Sequence, residues 1–158
     1  MVAQLNREPQ NLEQKKLYDT DYNLWVIETV KQLKNRDFDS LDWDNLIEEV
    51  SDLSKRDKRK VQSLLIKLFE HLLKLKYWQS EYQYSKGHWE AEIVNFRQQI
   101  SIELEDSPSL KSYIAQIFED CYQKGRVIVS KRSQLPLHTF PENPIANLEQ
   151  ILDENWLP

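Results

Sequence analysis

Glu49 and His71 are the two side chains in this 158-residue sequence whose types and helical placement could do chemistry together. In helical register Glu49 falls at the edge of an apolar stripe beside Leu46 and Leu53. His71 falls at the edge of another, beside Leu64, Leu68 and Leu75. A carboxylate and an imidazole at the rim of a core can ligate a metal, or act as a general acid/base pair with the imidazole held in one tautomer. The plainer expectation is a structural contact that fixes helix register. Ferritin-like di-metal chemistry needs Glu-x-x-His on facing helices, and Leu68 occupies the Glu position before His71. With one cysteine, Cys121, and three separated histidines, His71, His88 and His138, neither a thiolate zinc knuckle nor an H-E-x-x-H site can be built. No metal and no cofactor is expected.

A second constellation is basic. Lys55, Arg56, Lys58, Arg59 and Lys60 continue along one polar arc through Lys67 and Lys74, and end near Tyr77, Trp78, Tyr82, Tyr84 and Trp89. Cations leading to aromatics suit a single-stranded nucleic acid, through phosphate contacts and base stacking. Lys55 to Lys76 carries eight basic residues against Asp57 and Glu70. It follows directly on seven acids and no base between Asp37 and Ser54. Because the whole chain is at −5, everything outside the basic block sums to −11 and repels a polyanion. The blander expectation, a solvated face neutralised by an acidic helix beside it, is therefore preferred.

Other reactive groups have structural explanations. Ser107 and Ser109 read as helix-capping residues without a base in register, Cys121 as an inert core residue on an apolar stripe, and His88 and His138 as loop residues. Only Gly87 and Gly125 are glycines, so no glycine-rich phosphate loop and no series of tight hairpins is available. A polar N-terminus and a longest apolar run of only Leu24 to Ile27 give no leader or membrane span, which reads as a cytoplasmic chain.

These residues must be positioned by helices, since no segment alternates with period two. The expected fold is all-α: a single domain over 17–158, with about five main helices and a short C-terminal one, behind a mobile tail at 1–16. The first helix begins near Asp19 or Thr20, carries Tyr22, Trp25, Val26, Thr29, Val30 and Leu33, and stops near Asn35. Asp42 caps the second, with a Leu41–Leu46 staple and Trp43, Leu46, Ile47, Val50 and Leu53 as its buried stripe. The stripe resumes in phase from Val61 to Leu75. A helix from Trp43 to Trp78 would be about 54 Å long, against a radius of gyration of roughly 15 Å for one domain of this size, so a break is placed near Ser54. The third helix has the widest apolar surface and should be central. Tyr77 to His88 reads as an aromatic connector ending at Gly87, followed by a fourth helix with Trp89, Ile93, Phe96, Ile100 and Leu104. Ser107-Pro108 starts a fifth, with Gly125 on its apolar face to allow close approach. Asn143-Pro144 starts the last.

In this order the landmarks resemble a bacterial family common in cyanobacteria, domain of unknown function 29. The matching stretches are Leu17-Tyr18 with Asp21 and Trp25, then Leu41-Asp42-Trp43 followed by Leu46-Ile47-Glu48-Glu49-Val50, and His71-Leu72-Leu73-Lys74. Trp89 with Ile93 and Arg97, Ser107-Pro108-Ser109-Leu110, and the ending Leu152-Asp153 with Leu157-Pro158 complete the set. The resemblance covers about Leu17 to Pro158, implies an all-helical fold and assigns no activity. It also groups Asp21, Glu49, His71 and Arg97, from four expected helices, as one candidate polar cluster. The resulting expectation is a cytoplasmic protein-interaction or assembly module, more a binder than an enzyme, contacting another protein or its own copy. The alternatives are an acid/base or metal-assisted hydrolase using Glu49 and His71, and nucleic-acid binding through the Lys55 to Lys76 face.

Overall fold

In the computed structural model the backbone is described from Arg7 and the side chains from Leu12. The fold is all-α, with no strand among the described residues. Helices α1 (Arg7–Thr20), α2 (Tyr22–Asn35), α3 (Trp43–Tyr77), α4 (Gln79–Asp106) and α5 (Leu110–Ser133) precede a short α6 (Leu148–Leu152). The number of main helices is as expected, but through two offsetting differences: α1 occupies sequence read as tail, and the expected second and third helices are one. None of the described helices is long and apolar enough to cross a membrane. The chain divides into two compact units, Met1–Lys55 and Arg56–Pro158.

In the first unit, α1 forms where apolar periodicity is nearly absent because its buried anchor is an amide. Gln14, 4% exposed, exchanges hydrogen bonds with Gln32, donating at 2.6 Å and accepting at 2.8 Å. A polar side chain can be buried this way when its partner satisfies it. Asp21 ends the gap between α1 and α2 as the N-cap of α2, accepting from the Leu24 amide at 3.0 Å, just after the helix start expected near Asp19 or Thr20. Arg36 then closes α2 in a left-handed conformation, φ 55°. Among the described apolar side chains of this unit only Trp25 and Leu41 are buried. Trp25 packs edge-on to Tyr18 and donates its indole N–H to the fully buried Asp42 at 3.3 Å. The expected buried stripe is corrected: Trp43, Ile47, Val50 and Leu53 are 47, 61, 59 and 55% exposed, and Leu46 is half-buried.

The break expected at Ser54 is absent, and α3 runs unbroken for about 52 Å. The length objection assumed a single compact body, whereas the boundary between the two units falls inside this helix. Continuity also spares Lys55 and Arg56 the positive end of a helix dipole.

The second unit holds the main core. Val61, Leu65, Leu68, Phe69, Leu72 and Leu73 of α3 are fully buried, as their wide apolar surface predicts. Ile93, Phe96 and Ile100 of α4 and Ile114, Cys121 and Val129 of α5 complete the interior. Gly125 does allow close approach: a Cβ there would lie 2.9 Å from Phe69 Cβ and 3.0 Å from the Ile66 carbonyl oxygen. The expected connector over Tyr77 to His88 is helical from Gln79 on, with Gly87 inside α4, and the chain turns at Trp78, whose ring stacks on Trp89 at 5.6 Å. After α5 the proline-bearing segment has few backbone partners of its own, so buried side chains supply donors. Tyr122 donates to the Pro141 carbonyl at 2.7 Å, Arg126 to that of Phe140 at 2.9 Å, and Arg97 to that of Ile151 at 2.8 Å. The last helix starts later than Asn143, at a capping box formed by Asn147 and Gln150.

Candidate functional site

His71 and several charged residues of the second unit line one groove of about 510 Å³ between α3, α4 and α5. Residues 59, 63, 67 and 71, at intervals of four, put Arg59, Ser63, Lys67 and His71 along one side of α3. Glu92 and Phe96 come from α4, and Ile128 and Arg132 from α5, with Ile66 and Glu70 of α3 between them.

His71 is buried, and its Nδ1–H donates to the Lys67 carbonyl at 2.8 Å. A carbonyl can only accept, so this bond sets the tautomer and leaves the lone pair on Nε2. Burial holds the imidazole below its ordinary pKa, with the Lys67 carbonyl opposing that and Lys74 adding to it. The ring also meets the edge of Phe96 at 5.2 Å. One residue earlier, Glu70 is almost wholly buried. Its Oε1 lies 2.7 Å from Lys74 Nζ and 2.9 Å from Arg132 Nε, at ion-pair distance though off the hydrogen-bond directions. Both cations thus compensate a carboxylate that would be costly to bury alone. The Glu70–Lys74 spacing is the i, i+4 pattern and is visible in sequence; the contribution of Arg132, from another helix, is not.

The other expected cluster members have different partners. Asp21 caps α2. Glu49 accepts from Tyr18 at 2.8 Å and from Tyr22 at 2.7 Å, and this carboxylate raises the Tyr18 phenol to about 12. Arg97 is 3% exposed and uses Nε on Ile151, while its two terminal nitrogens have no hydrogen-bond partner. Asp21 and Glu49 belong to the first unit, His71 and Arg97 to the second. Among the described residues no group of three or more His, Cys, Asp or Glu side chains is arranged to hold a metal ion.

The basic run is dispersed among several tasks. Lys55 pairs with Asp52 at 2.8 Å, Lys58 sits 5.4 Å over the Tyr113 ring, Lys60 pairs with Glu103, and Lys74 is buried against Glu70. Acidic and basic blocks are therefore successive turns of one helix, and not two helices side by side. Arg59 and Lys67 alone of the run line the groove.

The family model for Domain of unknown function DUF29 matches residues 17–157, nearly the whole chain. The chain belongs to the DUF29 family. Neither the curated proteins nor the solved structures contain a match to this DUF29 chain.

Proposed function

We propose that this DUF29 chain is a protein-interaction module whose first unit docks a partner protein presenting an apolar helical stripe flanked by cations. The observation that carries this reading is the exposure of Trp43, Ile47 and Val50, at i, i+4 and i+7 on α3, with Leu53 beside them. A contiguous apolar stripe left in water marks an association surface. Each such half-exposed side chain, once covered, contributes on the order of 1 kcal/mol. The surrounding charge selects the class of partner. Six of the seven acids between Asp37 and Ser54, all but the buried Asp42, reach the surface, where they repel nucleic acid and are the wrong sign for an interfacial helix on an anionic membrane. A protein with basic residues at the rim of an apolar stripe complements both features.

The test uses the full chain and two synthetic amphipathic helices of identical Leu/Ile stripe, one flanked by Lys and one by Glu. The Lys-flanked peptide should bind saturably, and Ile47→Asp with Val50→Asp should weaken it at least tenfold while far-UV circular dichroism stays unchanged. Sedimentation velocity on the chain alone reports whether a second copy takes the same surface, in which case the double variant shifts it to monomer. A monomeric chain that binds neither peptide, or a double variant that binds as well as wild type, overturns the reading.

A further inference from the structure

The groove of the second unit combines features that the interaction reading does not use. Arg59 and Lys67 are exposed, line it together, and among the described residues have no ion pair or side-chain hydrogen bond. The third cation, Arg132, is held there through Nε by Glu70, and its side chain remains 64% exposed. Glu70 is compensated by Lys74 as well, so Glu92 is the one further acid on the lining and the groove is cationic on balance. His71 adds a neutral ring with an acceptor nitrogen. The base is apolar, made by Ile66, Phe96 and Ile128.

We infer that this groove is a binding site for a small organic anion, whose phosphate or carboxylate group is taken by Lys67 and Arg132 and whose apolar body lies on Ile66, Phe96 and Ile128. Arg132 is pre-positioned by its ion pair with Glu70, so it loses little freedom when an oxyanion arrives, and a guanidinium fork suits the planar or tetrahedral oxygens of either group. Lys67 stands one turn from Glu70 on the same side of α3, within reach of the same oxyanion. Arg59 lies two turns further toward the N-terminal end and adds to the field along the groove without competing for the head group. An apolar base with a few convergent polar groups is the usual composition of a small-molecule site. An inorganic ion would leave that base wet, which is why an organic anion is favoured over free phosphate.

Isothermal titration calorimetry of the full chain with phenyl phosphate, benzoate and inorganic phosphate, in dilute non-phosphate buffer, tests the site. At least one aryl anion should bind saturably and ten times or more tighter than inorganic phosphate; which of the two is tighter identifies the head group. Lys67→Met and Arg59→Met alter exposed side chains; Lys67→Met should weaken binding at least fivefold and Arg59→Met by less, whereas Lys111→Met, a cation outside the groove, should leave it unchanged. Circular dichroism on each variant verifies folding. The site is refuted by the absence of saturable binding for all three probes, by inorganic phosphate binding as tightly as both aryl anions, or by equal affinities in Lys67→Met and Lys111→Met.

Discussion

Replacing each of the two glycines by alanine should move stability in opposite directions. Both lie inside helices of the second unit and neither has a positive φ, so the backbone accepts alanine at both positions. What differs is the space. At Gly125 a Cβ would be 2.9 Å from Phe69 Cβ, 3.0 Å from the Ile66 carbonyl oxygen and 3.2 Å from the Glu70 amide nitrogen. Two of these atoms are α3 backbone and cannot rotate aside, so α5 must retreat from α3 and loosen the packing of Phe69 on Tyr122. Overpacking of this kind costs about 1–3 kcal/mol, offset by about 1 kcal/mol of helix propensity, for a net loss of up to ~2 kcal/mol. At Gly87 nothing lies within 4 Å, so only the propensity gain of about 0.5–1 kcal/mol remains. For a unit of this size Gly125→Ala should lower the melting temperature by up to roughly 10 °C and Gly87→Ala should raise it by a few degrees. Urea and thermal unfolding followed by circular dichroism measure both. If Gly125→Ala is stabilised as much as Gly87→Ala, the close approach of α5 to α3 is refuted.

Other outcomes follow from the polar groups. The Tyr18 phenol is raised from 10.0 to about 12 chiefly by its hydrogen bond to Glu49, so it resists ionisation in the folded state. Its contribution to stability is present below about pH 10 and lost as pH rises through about 12. Glu49→Gln should return one tyrosine toward the ordinary value in an ultraviolet pH titration, and an unchanged titration would count against the bond. His71 is held below its ordinary 6.5 by burial, so its contribution is complete above about pH 6.5 and is lost as pH falls through the folded value. Urea midpoints at about pH 7.5 and pH 5 should therefore differ less in His71→Leu than in wild type. The Cys121 thiol, wholly buried and pushed up to about 11 mainly by desolvation, should resist iodoacetamide until the protein is unfolded. Mass spectrometry showing native modification would contradict its core position.

Apolar periodicity made legible α2, the buried half of α3 and most of α4 and α5, because in each the residues that recur every third or fourth position include those that pack. It failed where burial is polar. Gln14 anchors α1 through an amide exchange with Gln32, and no hydrophobic pattern announces it. Aromatics misled at Tyr77 to His88, where Gly87 is simply an uncrowded helical residue, and the two-unit division removed the length argument for a break at Ser54. For the candidate site, the rim position of His71 was readable from its register. Its surroundings were not, since Arg132, Glu92 and Phe96 reach the groove from helices whose relative rotation no spacing rule gives.

The same helix also shows what periodicity can measure. Val61, Leu65 and Leu68 are fully buried, while Trp43, Ile47 and Val50 of the same stripe are exposed. In the second unit the demand for a cover is met from within the chain, by α4 and α5, as the close approach at Gly125 and the His71–Phe96 contact illustrate. In the first unit α1 and α2 instead engage polar positions of α3 that flank the stripe, through Tyr18 and Tyr22 on Glu49 and Lys15 on Asp44. An amphipathic stripe states that a helix needs covering and leaves open what covers it. Where the chain's own helices take the polar side, the apolar side is left for another molecule, and the acids around it favour a partner whose rim is basic.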